Sequence, residues 1–293
     1  MRGPVLAVVT LLAAAVVPDV HGQQKLSRRI AIAPDASIRI HNLPGTTRVI
    51  GWDVDSIGVS GVAPAGTSFY MGGAGRVAKL GLERDEKAGP TVLGLLEVRV
   101  PRGARVWVKS AEGSIEAEGL TGEADLATVG GSIKVSGNLR VLTAETLDGD
   151  LDVSGGSQLV RVKSGGGKIV LTRSSGDLTV STVAGPVLLV DAQASTARIE
   201  TVSGTVTYDG YLDRRATLEV QTHSGDVELR LPPSVSAEFD LDSVDGTTAI
   251  ALSPKAGNPK PVKGKPQFFT SGGGGARVVV RTFKGSIRLI GRE

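Results

Sequence analysis

The sequence predicts an all-β fold, a parallel β-solenoid of about nine rungs of 18–21 residues, with a right-handed coil as the expected hand. Three observations predict it: glycines at a near-constant spacing, an unbroken hydroxyl column in phase with them, and apolar alternation on both sides. The glycines are Gly113, Gly131, Gly149, Gly167, Gly185, Gly204, Gly225, Gly246 and Gly285, at successive intervals of 18, 18, 18, 18, 19, 21, 21 and 39 residues. Three residues before them stand Ser110, Thr128, Thr146, Ser164, Thr182, Thr201, Thr222, Ser243 and Thr282, a Ser or Thr every time.

The positions seven and five before each glycine are apolar throughout, as in Val106 and Val108 or Val160 and Val162. Two and four after, as in Ile115 and Ala117, they are apolar again, and only Thr248 interrupts. Period-two alternation puts every second side chain on one face, so each unit is two short strands joined at a glycine corner. One unit cannot bury its apolar face, but units stacked about 4.8 Å apart bury a continuous column. The glycine serves a corner where a side chain would clash or a positive φ is needed. The hydroxyls share the phase of the buried positions, which marks them as a structural ladder bonding backbone groups or neighbouring rungs, and not as nucleophiles. Right-handed crossovers are the rule for parallel strands. A left-handed triangular solenoid would instead repeat an apolar residue every six.

Taken in order, residues 1–22 read as a signal peptide. Arg2 precedes an apolar run from Val5 to Val17, then Pro18 and the small-residue site Val20-His21-Gly22, with cleavage before Gln23. An exported protein follows, periplasmic, cell-surface or secreted, with no transmembrane segment in the mature chain. Residues 23–100 read as N-terminal strands with a first rung and cap: Gly45 repeats the corner, Asn42 takes the hydroxyl position, and Ile57 and Val59 begin another alternating stretch. Residues 61–90 read as a loop. The repeat domain spans 101–293, with a long loop at 253–276 carrying four lysines, four prolines and the Gly272–Gly275 run.

Composition excludes whole chemistries. With no cysteine among 293 residues, disulfides, thiolate catalysis, cysteine-ligated zinc and iron–sulfur clusters are ruled out. A net charge of +3 argues against nucleic acid as a partner. His41 and His223 are isolated, and His223 shares a corner column with Ala111, Val129, Leu147, Val183, Val202, Val244 and Phe283, where a packing role is expected. Asp148, Asp150 and Asp152 have the spacing of a calcium loop, but Val153 stands where the helix–loop–helix motif needs Gly, and Leu159 where it needs Glu. No catalytic residue, metal or cofactor is therefore expected. Outward positions carry Glu116, Lys134 and Asp152 in consecutive rungs, alternating in sign, then turn apolar at Val170 and Leu188 with Val190 beside them. Val170, Leu188 and Val190, with Phe268 and Phe269 in the basic segment, form the candidate interaction surface.

The segments "LPGTTRVIGWDVDSIGVSG" (43–61) and "LEVRVPRGARVWVKSAEGSIEAEGLTGE" (96–123), with the recurring T-x-x-G-x-[IV]-x-[VL], resemble the bacterial β-strand-repeat domains named as adhesins, which are similar to the head domains of auto-transporter adhesins. The resemblance covers most of 30–293. It implies an exported, non-enzymatic solenoidal scaffold, an adhesin or cell-envelope interaction module whose partner is an envelope protein or surface glycan. That family has no catalytic residue to carry over, and no length remains here for the membrane barrel of an auto-transporter. A polysaccharide-binding or polysaccharide-cleaving solenoid is the alternative, and an envelope-stress or signalling accessory a third.

Overall fold

The computed structural model describes residues 24–42, 45–84, 94–252 and 261–292, so the expected signal peptide lies outside the described residues. It is an all-β solenoid of two facing parallel sheets. Most rungs contribute one longer strand to a wide sheet and one shorter strand to a narrow sheet. Arg105–Ser110, Glu123–Thr128, Val141–Thr146 and Leu159–Ser164 follow one another in register in the wide sheet. Ile115–Glu118, Ile133–Ser136, Leu151–Ser154 and Ile169–Thr172 do so in the narrow one. The apolar columns face inward between the sheets: Val106, Val108, Ile115, Leu126, Ile133 and their counterparts are at most 3% exposed.

The corner glycines have a shared physical reason. A Cβ on Gly131 would lie 2.1 Å from the carbonyl oxygen of Gly113, and one on Gly149 1.8 Å from that of Gly131. Each glycine thus lies directly over the peptide of the glycine one rung below. Close approach, not a positive φ, excludes a side chain at these two positions. The hydroxyl three residues earlier bonds this corner, and at Thr146, Ser164 and Thr282 it does so in both directions. Thr146 Oγ1 accepts the N–H of Gly149 at 3.1 Å and donates to the carbonyl of Gly131 at 3.0 Å. Ser164 does the same between Gly167 and Gly149. At the N-terminal end Asn42 replaces the hydroxyl, its Nδ2 donating to Thr47 Oγ1 at 2.8 Å.

The opposite corner follows a different rule. Gly119, Gly137 and Gly155, eighteen residues apart, all have positive φ, and the next two residues at that spacing are Arg173 and Asp191, both at φ 53°. In these five rungs one left-handed residue turns the chain from narrow to wide sheet, a backbone that costs a non-glycine residue about 1 kcal/mol. The nineteen-residue interval has its origin close by: Ser175–Thr182 meets Val187–Thr201 with a register shift at Gly176/Asp177 that skips Ser195. One bulged residue lengthens the coil by one.

Stacking order departs from chain order at both ends. The rung of Ser37–Asn42 and Thr46–Trp52 lies between Val77–Arg84 with Leu95–Pro101 on one side and Arg105–Ser110 with Ile115–Glu118 on the other. At the far end Ala276–Thr282 inserts between Thr217–Thr222 and Ala237–Ser243, so the Gly285 rung sits inside the Gly246 rung. Antiparallel strands then finish each sheet. Ser56–Ala63 and Thr67–Ala74 do so at one end, Val262–Lys263 and Gln267–Ser271 at the other. The loops expected at 61–90 and 253–276 therefore contain strands wherever they are described. Val77–Arg84 alternates, with Ala78, Leu80 and Leu82 buried, whereas the antiparallel capping strands Thr67–Ala74 and Gln267–Ser271 have no rung-to-rung repeat. Gln24–Ala31 adds an outer antiparallel strand bearing Lys25, Arg28 and Arg29, charges suited to an unpaired edge.

Adjacent glycines test this account. Gly131→Ala drives a methyl into a backbone carbonyl, whereas a Cβ on Gly130 meets nothing within 4 Å. Gly131→Ala lowers stability by about 2 kcal/mol or more in urea unfolding and Gly130→Ala by less than about 0.5 kcal/mol. Arg173→Gly raises stability by about 0.5–1 kcal/mol in the same measurement, since glycine adopts the left-handed conformation without the side-chain penalty.

Candidate interaction surface

At the glycine corner the hydroxyl three residues before the glycine points inward, so the next residue points out. The backbone there continues the rung-to-rung ladder. Val129 N–H bonds the carbonyl of Ala111 at 3.1 Å, Leu147 that of Val129 at 3.2 Å, Gly165 that of Leu147 at 3.0 Å and Val183 that of Gly165 at 3.1 Å. Val202, His223 and Phe283 continue the series at 3.2 Å each. These side chains stand in one straight stripe along the solenoid edge. Val129, Leu147, Val183, Val202, Val244 and Phe283 are between 42% and 57% exposed. The side chains of this column face solvent, and the corner packing role expected of His223 takes the form of a ring stack on the solvent side. His223 is exposed too, its ring stacked on Phe283 with centroids 5.3 Å apart.

Two hollows open on this edge. One, of about 490 Å³, runs over five rungs from Lys109 to Val183 and includes Gly165, where the column has no side chain of its own and Leu147 Cδ1 lies 3.4 Å from where a Cβ would be. Lys109, Glu145 and Lys163 flank it, Lys163 Nζ lying 3.1 Å from Glu145. The other, of about 570 Å³, is lined by Glu200, Gln221, His223, Asp242, Arg281 and Phe283. Arg281 is held there by Asp240 at 2.8 Å.

The residues singled out from the sequence fall elsewhere. Val170 and Leu188 are in register on the outer face of the narrow sheet, Val190 lies opposite Thr172, and all three are half-buried. Phe268 and Phe269 sit on a capping strand of the wide sheet and part company. Phe269 stacks on Phe239 at 4.8 Å and helps to close the core, while Phe268 is 70% exposed. The structure thus divides the five between two sheets. Lys134 lies in register with Glu116 and Asp152. Asp150 accepts the backbone N–H of Lys168 at 2.8 Å, which ties it to the next rung. Among the described residues no group of three or more His, Asp and Glu is placed to hold a metal. The signal that would have found the stripe is alternation itself: with the hydroxyl pointing in, the neighbouring column points out.

Electrostatics at the N-terminal end act on His41. Burial first, then the positive charges of Lys79, Lys109 and Arg39, push its pKa below the ordinary 6.5. Tyr208, fully buried in the narrow sheet, donates to the carbonyl of Tyr211 at 3.0 Å, and burial raises its phenol to about 12.

The fold and its open edge define a class: an all-β solenoid whose described residues include no helix long and apolar enough to cross a membrane. The family model that matches is described as Toastrack DUF4097 and covers residues 158–289, where the repeat runs from the Gly167 rung to the inserted Gly285 rung. No curated protein matches the sequence. Among solved structures, a protein provisionally described as a cell adhesion protein from Clostridium sporogenes ATCC 15579 aligns over 92% of this chain and 100% of its own. Its identity is 8% and its TM-score 0.26.

The histidine yields a pH prediction. Because its folded pKa is lowered, the unfolded chain takes up a proton that the folded chain resists as pH falls through 6.5. Stability therefore falls on the acid side, and His41→Gln removes that part of the fall. Thermal melts of both proteins from pH 7.5 to 5 measure the difference.

Proposed function

We propose that the protein is an exported, non-enzymatic β-solenoid scaffold that works as an adhesin-like or cell-envelope interaction module. One observation carries this reading: an exposed, largely apolar stripe along one edge of a stacked and hydrogen-bonded rod. Contiguous apolar surface of this kind marks partner contact in soluble proteins. The repeated backbone ladder supplies a rigid support, so partner binding costs little ordering. The segmentation that goes with this reading is a signal at 1–22, a capping region at 23–100 and a repeat domain at 101–293. Val170, Leu188, Val190 and Phe268 are a secondary surface in the same proposal.

A polysaccharide-binding role is the second reading, and the hollow beside Phe283 favours it. Carboxylates, an amide, a guanidinium and a ring face combine there in the manner of a sugar site. The two readings separate experimentally. In the first, Leu147→Asp with Val183→Asp leaves the melting temperature within about 2 °C and lowers binding to isolated envelope fractions at least about tenfold. Unchanged envelope binding, together with glycan-array binding that is lost in Asp242→Asn, would favour the second. Release of reducing ends from an acidic polysaccharide would overturn the non-enzymatic assignment.

A further inference from the structure

The stripe carries its own complement, and we infer that its partner includes a second copy of this chain, packed edge to edge and antiparallel. The inference rests on reading this edge as an interaction surface and adds the identity of one occupant. Consider a two-fold axis crossing the edge midway between the Leu147 and Gly165 rungs. Such an axis reverses the rung order of the partner. Leu147 of each copy then faces Gly165 of the other, the position on this part of the edge where the column itself has no side chain. Val129 meets Val183, and Ala111 meets Val202, so aliphatic groups face each other on either side.

Charge selects the register. On the outer face of the wide sheet, two residues before the stripe, adjacent rungs carry Lys109, Ala127, Glu145, Lys163, Ser181 and Glu200 in that spatial order. The same axis sets Lys109 against Glu200, Ala127 against Ser181 and Glu145 against Lys163. Each charge meets its opposite and each neutral residue a neutral one. Glu200 is free to accept, since both its contacts with Arg198 go to Oε1. Moving the axis onto Leu147 would set Glu145 against Glu145, and moving it onto Gly165 would set Lys163 against Lys163. The other flank opposes no such pairing, because Asp148 meets Gly166, Gly130 meets Ala184 and Glu112 meets Ser203. A patch that is its own complement under a two-fold axis is the requirement for an isologous dimer.

Six rungs at about 4.8 Å give an edge about 29 Å long, and at this width the contact falls short of the ~800 Å² per partner of a stable complex. The dimer is therefore weak and concentration-dependent. Sedimentation velocity over a dilution series reads it directly. A reversible dimer is expected, weakened at least about tenfold by Leu147→Asp. Lys109→Glu and Glu200→Lys each weaken it, and the double variant restores it. These two residues lie five rungs apart in one chain, about 24 Å, so rescue can only occur between copies. The absence of native cysteine permits a direct check on orientation. Mixing Val129→Cys with Val183→Cys protein gives a disulfide-linked heterodimer, and neither protein alone gives a comparable product. A chain that stays monomeric at all concentrations would overturn the inference, as would a dimer indifferent to Leu147→Asp or Val129→Cys protein that links to itself. If the wild type is monomeric while the Leu147→Asp, Val183→Asp protein still loses envelope binding, self-pairing falls and the interaction-module reading stands.

Discussion

Everything in this fold depends on how closely one rung can approach the next at the glycine corner. With the carbonyl of one glycine 1.8–2.1 Å from where the next glycine's Cβ would be, the chain passes over itself at backbone contact distance. That approach satisfies the parallel ladder on both sheets, since a bulky corner would hold the rungs apart and leave N–H and C=O groups unpaired in the interior. The Ser/Thr column is the consequence. A turn this tight leaves the glycine N–H without a strand partner and its carbonyl facing the next rung; a hydroxyl, donor and acceptor together, can serve either, and at Thr146, Ser164 and Thr282 it serves both. An alanine there could fill the space but could not make either bond.

Repetition solves the middle of the rod and creates a difficulty at its ends. A terminal parallel rung presents one open edge and one open half-core. The molecule answers with strands that run antiparallel and with rungs placed out of chain order, so that Ala276–Thr282 is flanked on both sides despite being the last wide-sheet strand in the sequence. Its neighbours are separated from it by long stretches of chain. Assembly of this end therefore requires the late strand to enter beside an earlier one, a non-local closure of the kind that slows folding.

The middle was legible because its constraints recur. Gly131 alone says little, whereas nine glycines in phase with nine hydroxyls define corner, inward face and rung spacing together. The ends were less legible for the same reason. Thr67–Ala74 and Gln267–Ser271 satisfy geometry used once, so no column exists in which to see them. Rung order is also invisible to periodicity, since Gly246 and Gly285 fit the same pattern whichever lies inside. The left-handed column was half hidden, because Arg173 and Asp191 occupy places where Gly119, Gly137 and Gly155 show what the backbone needs. The exposed stripe is present in the sequence as a regular apolar column one residue after the inward hydroxyls.

That stripe is the part of the molecule its architecture does not explain. Its backbone groups are bonded to neighbouring rungs whatever side chain is attached. The hydroxyl behind it secures the turn, and the glycine ahead permits the close approach. The next column along shows what the corner tolerates: Glu112, Gly130, Asp148, Gly166, Ala184, Ser203 and Ser224 are small or charged, as an exposed turn ordinarily is. Val129, Leu147, Val183 and Val202 stand one residue away in the same solvent and are aliphatic. Neither the ladder nor the core gains from their apolarity, and exposing it lowers solubility. Contact with another surface is the role in which a Leu at 147 gains over a Ser, and the aligned rungs beneath set the spacing at which that surface must match.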